Sequence, residues 1–450
     1  MRALTLVCSI FAWSLSVQAE NSLRIATFNI DATPPIGTPL AYDEMTWIDK
    51  PLSCRGVILL GDALPVVLCA VDWIGISNGG QDAFKEALAE AASTTPSRVN
   101  VHTLHQHDAP VCDLTANQIL IEYGLGGALA DPVFIRRTIA NAAAAVQTAI
   151  QGAQPVTSVG YGMAEVHEVA SNRRILGDDG KVAHTRYTTC RDPKIRAMPA
   201  GTVDPMLRLV SFWNEDTPLA VLTYFATHPQ SFYRTGGANP DFPGIARELR
   251  ETESGGLFHV HFNGAGGDIG AGKWNDGNKE NRLLLAIRLA RGMKAAFEAT
   301  RKVPIDAGDL EWNVQSIQLP PAEHLNEERL LAEIADTSLT ELARKEAARN
   351  LAWLRRCEAR AGNEVGLLSL GPIRILHCPG EMLVEYQLAA QAMSPNRFVC
   401  LAAYGDYGPG YICLTKHYPE GGYEASQRAS RVAPSVEQVL LPAIEKLLEE

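Results

Sequence analysis

The sequence is short of positive charge. Its 40 lysine and arginine residues face 51 aspartate and glutamate residues, a formal net charge of −11. Binding to a phosphate backbone needs clustered Lys and Arg, so this balance argues against nucleic acid as a partner. No basic amphipathic helix suited to a membrane surface stands out. Beyond the N-terminal segment no run reaches the ~18 continuous apolar residues of a membrane span. None of the nine cysteines has CxxC spacing, which argues against a zinc site built from thiolates. Internal repeats, low-complexity runs and linkers rich in Gly, Ser or Pro are also absent, so no composition shift divides the chain.

What is present is a globular composition. The chain has 450 residues, 46% hydrophobic and 20% charged, enough to bury a large core in one big α/β unit or two ordinary ones. The start reads as a signal peptide over residues 1–19: a positive Met1-Arg2, an apolar stretch from Ala3 to Ser16, and Val17-Gln18-Ala19 as a small-residue cleavage site before Glu20. Cleavage removes Cys8 and leaves Cys54, Cys69, Cys112, Cys190, Cys357, Cys378, Cys400 and Cys413. An even count in an exported chain permits disulfides, with no readable connectivity.

Strand-like and helix-like stretches alternate throughout, predicting an α/β fold: a single large mixed-sheet domain over residues 20–450 with flanking helices. Apolar stretches at Leu23–Ile30, Arg55–Leu60, Pro65–Val71, Met206–Trp213, Leu219–Ala226, Leu257–Phe262, Ile373–Cys378 and Arg397–Ala403 read as strands. Asp131-Pro132 opens a helix whose apolar residues Ile135, Ile139, Ala142, Val146 and Ile150 keep helical spacing. Pro321–Ala361 predicts a partly exposed helical hairpin broken near Asp336-Thr337-Ser338. Ser171–Pro193 is polar and loop-like.

The chemistry-bearing residues stand at strand ends. Val99 to Leu104 alternates like a strand and delivers His105-Gln106-His107-Asp108-Ala109-Pro110; a second strand delivers Thr227-His228-Pro229. Histidines so placed are candidates for metal binding and acid–base work in α/β enzymes. His259 and His261 share one face of a strand and read as structural.

These motifs and others resemble, in order along the chain, the catalytic domain of the neutral/alkaline (non-lysosomal) ceramidases. The stretches are Asp31-Ala32-Thr33-Pro34-Pro35-Ile36-Gly37, His105 to Pro110, Asn172-Arg173, Ala226-Thr227-His228-Pro229, Asn263 to Ile269, Pro379-Gly380-Glu381, and Tyr411 through Tyr423-Glu424-Ala425-Ser426. The resemblance implies a zinc ion (Zn2+) held by His105, His228, Glu381 and Tyr411. Tyr407 is a rival for the last place, and the interval from Tyr411 to Tyr423 favours Tyr411. His107, neutral near pH 7 and two residues from a ligand, is the candidate general acid–base, and the resemblance adds Arg173 and Tyr423 as residues lining the site, expected to donate to the developing oxyanion. Asp268 is expected to orient an imidazole or to cap its own loop.

Two departures bear on activity. Gly270 stands where the family has a serine, so a serine nucleophile is excluded there while activated water remains. Asp108-Ala109 replaces Ser-Gly, adding a negative charge expected to raise the pKa of His107 or to disfavour a charged lipid headgroup. The chain ends at Glu450, where ceramidases continue into an immunoglobulin-like domain that it is expected to lack. The implied function is exported, zinc-dependent hydrolysis of an amide by metal-activated water, N-acyl sphingosine or a related N-acyl lipid being the family's substrate class. The alternatives are an esterase or other C–N hydrolase acting on a soluble substrate, and a metal-retaining binding protein without turnover.

The signal-peptide reading predicts that the protein recovered from an exporting host starts at Glu20. Intact mass and N-terminal sequencing check this, and a retained Met1 in the exported fraction would refute it.

Overall fold

Three β-sheets repeat one arrangement of strands. In each, an antiparallel pair is followed by a helix that crosses over to a parallel strand. The first runs from Ser53–Leu60 to Val66–Val71, through the helix Gly79–Ala91, to Val99–Thr103. The second runs from Met206–Asn214 to Thr217–Phe225, through Asp241–Glu253, to Phe258–Asn263. The third runs from Asn363–Leu370 to Ile373–His377, through Val384–Met393, to Phe398–Ala402. Further antiparallel strands complete two five-stranded sheets and one four-stranded sheet. The structure is a computed structural model describing residues 22–449, so the expected signal peptide lies outside the described residues. The repetition is topological and leaves no trace as a sequence repeat, because the same strand order tolerates different apolar residues.

Strands buried on both faces explain the composition. Val66–Val71 reads VVLCAV and is buried along its whole length, as expected of a strand covered on both sides. One core gathers side chains from all three sheets, among them Val57, Leu68, Phe212, Leu222, Val260, Leu368, Ile375 and Cys400. The outer faces are covered by helices: Gly79–Ala91 and Pro132–Ile150 on the first sheet, Asp241–Glu253 and Glu280–Glu298 on the second. Helix Pro132–Ile150 starts as expected, Asp131 accepting from the Val133 and Phe134 amides before Pro132.

The helical hairpin is present as Glu327–Ala335 and Glu341–Glu358. It is less peripheral than its charges suggest, since Leu330, Ile334, Leu351 and Trp353 are buried in a core with Val365, Leu367 and Leu376 of the third sheet. Ser171–Pro193 is more ordered than expected. Ser171–Asn172 pairs with Ile269–Gly270, and Arg174–Leu176 pairs with Val182–Thr185. Its buried Arg186 donates to main-chain carbonyls of residues 172, 195 and 198–200, which ties down a stretch with few apolar residues. The eight described cysteines are free thiols, Cys54 and Cys69 facing each other at 3.6 Å.

The three crossover strands meet at one end. The Thr103 amide donates to the Tyr404 carbonyl (2.9 Å), and the Ala403 amide donates to the Asn263 carbonyl (2.9 Å). The Asn263 side chain donates in turn to the Leu104 carbonyl. Just below, the rings of His102, Phe262 and His377, one from each sheet, pack edge-on or tilted within 5.0–6.1 Å.

A buried ion pair secures the loop beyond Val66–Val71. Asp72 is fully buried and accepts two bonds from Arg247 (2.9 and 2.7 Å) and two from Ser53 (2.8 and 2.7 Å). Burial alone would raise its carboxyl, but Arg247, Arg55 and Ser53 outweigh this and hold it below the usual range. Its stabilising share is therefore complete above about pH 4 and is lost as pH falls through the depressed value. Arg247→Met strands the carboxylate and is expected to cost about 3–5 kcal/mol, read as a lower urea midpoint with unchanged slope. A midpoint equal to wild type would refute this role.

Candidate metal centre at the strand ends

His105 leaves its strand in a left-handed turn (φ 62°), and Tyr404, at the end of the third crossover strand, does the same (φ 61°). This conformation is disfavoured for residues with a Cβ and persists where surroundings enforce it. Here the His105 amide donates to the Trp73 carbonyl (2.9 Å) and the Tyr404 amide to Gly380 (2.9 Å), while the two rings stack at 4.6 Å. The Gln106 side chain donates to the Asp72 carbonyl, so the buried pair just described also anchors this loop. His228 follows its strand directly, its amide donating to the Ile269 carbonyl (2.8 Å).

Glu381 lies in a two-residue strand, Glu381–Met382, paired in parallel with Tyr411–Ile412. It precedes its helix and is no part of the first turn. The Gly264–Gly267 run explains how these segments come so close. A Cβ on Gly266 would lie 2.7 Å from the Thr227 main chain, and one on Gly267 would lie 2.6 Å from the Glu381 carbonyl. Glycine is required at both, because the backbone itself is wedged between the His228 and Glu381 segments.

The resulting cluster is buried. His105, His107 and His228 each place a ring nitrogen within 4.8 Å of the others, so the three could hold a metal ion. The Nδ1 of His105 lies 2.5 Å from the Ile74 carbonyl. A carbonyl only accepts, so this nitrogen carries the proton. The other nitrogen, Nε2, faces Glu381 Oε2 at 3.1 Å, and His228 Nδ1 lies 3.7 Å from the same oxygen. Glu381 Oε2 and His228 Nδ1 are buried without a hydrogen-bond partner of normal geometry among the described residues, and His107 Nε2 lies 3.4 Å from His228 Nε2. Lone pairs converging in a buried volume need a proton or a cation between them. Imidazole nitrogens with a carboxylate form a donor set that suits zinc, and other borderline divalent ions as well.

Charges around the cluster agree. Burial opposes the charged form of Glu381, but His105, Tyr407 and Arg173 together hold its carboxyl below the usual range. Burial first, then the neighbouring His105 and Arg173, hold His107 and His228 well below the ordinary histidine range. Both rings are therefore neutral and free to act as ligands or bases.

The structure brings all but one of the sequence-derived site residues to the cluster or its wall. Arg173 is buried, donates to Tyr411 Oη (3.2 Å) and to Glu424 (2.7 and 3.1 Å), and lies over the rings of Tyr411 and Tyr423. Tyr411 stacks along His228 at 6.5 Å, whereas Tyr407 donates to Glu381 Oε1 at 2.8 Å. Asp268 is the exception. Its carboxylate accepts from Asn172 (2.7 Å) and from the Val384 amide (2.9 Å), so it joins two chain segments instead of orienting an imidazole. Asp108 departs from the first of its two expectations. It is buried against Arg282 (3.1 Å) and Thr235 (3.1 Å), burial pushes its carboxyl up to about 6, and it does not raise His107. His259 and His261 are buried in the second sheet and bond to Leu257 and Thr223, apart from the cluster. A side chain on Gly270 would meet the Thr188 methyl at 3.0 Å and Arg173 at 3.4 Å.

Sequence reading missed Tyr42, Tyr233, Tyr404 and Glu424. Tyr42 lies parallel to His107 (centroids 5.4 Å apart), with Tyr233 tilted against both. No spacing signal linked these tyrosines to His107. Glu424 alone had one, as the neighbour of Tyr423.

The fold is that of the ceramidases. A ceramidase solved in complex with C2 matches 95% of this chain over 76% of its own, with a TM-score of 0.68 and 15% identity. The neutral ceramidase from Pseudomonas aeruginosa matches 95% of this chain over 75% of its own, with a TM-score of 0.66 and 15% identity. The sequence matches no protein-family model and no curated protein.

The cluster predicts about one divalent ion per chain by elemental analysis. His228→Ala and the near-isosteric Glu381→Gln are both expected to lose it. Retention of the metal in both variants would refute the centre.

Proposed function

We propose that the protein is a metal-dependent hydrolase of acyl amides, with zinc held by His105, His228 and Glu381 and closed by Tyr411. The observation that supports this most directly is the pair of buried polar atoms without a hydrogen-bond partner on His228 and Glu381, close to His105 at the strand ends of a ceramidase-like fold. When bound, zinc supplies Lewis acidity, polarising a carbonyl and lowering the pKa of water. The residues around it divide the remaining work. His107, neutral and held face to face with Tyr42, takes a proton from the attacking water and returns it to the leaving amine. Arg173 is fixed by Glu424, which also accepts from Arg174 (3.1 Å), so its positive charge is oriented before substrate arrives and needs no reorganisation as the oxyanion forms. Tyr423 stands across from Tyr411 at 5.6 Å and donates its hydroxyl to the same oxyanion. Gly270 has no side chain, so the attacking group is water and not a side chain at that position. Among the described residues no helix is long and apolar enough to cross a membrane.

A second assignment of His107 follows from its place among the three clustered imidazoles, as a ligand in place of Tyr411. His107→Ala separates the two. As acid–base, its loss lowers turnover of a soluble N-acyl amide by a factor on the order of 10²–10⁴ with metal retained. As ligand, its loss removes the metal. Hydrolysis undiminished in His107→Ala, or unaffected by chelation, would overturn the proposed function.

A further inference from the structure

Beside His107 the protein carries an exposed charge that hydrolysis alone does not require. Tyr42 and Tyr233 form the wall over His107, and Arg234 follows directly. Its backbone is left-handed (φ 64°), and its guanidinium lies over both rings, 5.6 Å from the Tyr42 centroid and 5.4 Å from that of Tyr233. The segment is pinned to the opposite strap. The Thr46 amide donates to the Gly236 carbonyl (2.7 Å), the Gly236 amide donates to Asp43 (2.8 Å), and Trp47 donates to the Thr235 carbonyl (3.1 Å). A strained backbone and two aromatic faces thus hold an exposed cation beside the wall of His107, in a protein whose net charge is −11.

The charges near it are largely committed. In the groove of about 420 Å³ that Arg234 and Tyr42 help to line, Lys345 pairs with Glu341 (3.1 Å) and donates to the Ala128 carbonyl (3.1 Å), and Asp43 takes the Gly236 amide. Asp108, below, is held by Arg282. Asp43 and Glu44 are the groove's carboxylates without an ion pair, and both oppose an anion there. Arg234 has ring faces as its neighbours and no carboxylate within ion-pair distance among the described residues.

We propose that the substrate of this centre carries an anionic group, and that Arg234 binds it as the amide enters. The simplest such substrate is an N-acyl amino acid, whose carboxylate suits a guanidinium fork. The inference rests on the reading of the centre as an acyl-amide hydrolase. Its chemistry is the same step: water adds to the carbonyl, the C–N bond breaks, the amine takes the proton, and the acyl part leaves as a carboxylate.

The test compares N-hexanoylglycine with N-hexanoylethanolamine, which share the acyl amide and differ in the terminal carboxylate. Binding to the metal-loaded protein is measured by calorimetry, and hydrolysis by amine release. The glycine conjugate is expected to bind about tenfold more tightly. That ratio should collapse in Arg234→Gln, shrink in about 0.5 M salt, and grow in Glu44→Gln. Arg234 is exposed, so its variant is not expected to unfold, and circular dichroism confirms this. Equal affinity for both probes, affinity for neither, or a preference unchanged in Arg234→Gln overturns the inference. Hydrolysis of both probes with equal KM leaves the hydrolase standing and removes the anion site. Arg234-dependent binding without hydrolysis of either keeps the anion site and removes the hydrolase.

Discussion

Three crossover strands that end at one point, and bond to each other there, are the constraint on which the rest depends. The Thr103–Tyr404 and Ala403–Asn263 main-chain bonds, with the Asn263 side chain on Leu104, lock the ends of three separate sheets. Each sheet then needs only a few residues to reach the common space. The first supplies His105 and His107, the second His228, and the third Glu381 with Tyr404, Tyr407 and Tyr411. Rigid strands fix where these residues leave the sheet, and tight turns fix where they point. The left-handed turns at His105 and Tyr404 and the glycine wedge at Gly266–Gly267 are the local strain that this convergence imposes, and the large shared core among the sheets offsets it.

Electrostatics follow from the same convergence. Buried imidazoles and a carboxylate with unshared lone pairs are costly unless a cation or a proton joins them. The surrounding layer is complementary. Arg173 answers Glu424, Tyr407 donates to the outer oxygen of Glu381, and Ile74 fixes the tautomer of His105. Every one of these partners comes from a different chain segment than the group it supports. The centre is thus held from outside, which keeps its inner face free for a ligand. Beside His107, burial sorts the charges of Asp108 and Arg234. Asp108 is folded inward onto Arg282, and Arg234 is left outside on aromatic faces.

Much of the centre was legible from order along the chain. His105, His107 and His228 follow apolar stretches that could only be strands, and Pro379-Gly380-Glu381 and Tyr411 to Tyr423 complete a series whose sequence position is itself information. The same reasoning misjudged Asp268 and Asp108, because a carboxylate beside a histidine motif can turn toward it or away from it and the residue type does not say which. It passed over Tyr42 and Tyr233, which reach His107 through a strap pinned by main-chain bonds, and such bonds leave no mark on residue type. It did not see that three sheets repeat one topology, since strand order is independent of which apolar side chains fill a core.

By itself the sequence determined the alternation of strands and helices, the caps such as Asp131-Pro132, the helical hairpin, and the residue types able to hold a metal, because period, turn chemistry and ligand chemistry are local properties. Only the tertiary structure decided which of those residues share one buried volume, that Glu381 faces His105 while Asp268 joins Asn172 to Val384, and that Arg234 lies over the two tyrosines beside His107. Those outcomes depend on contacts between residues far apart in the chain, set by how three sheets pack around one core, and no stretch of sequence carries that distance.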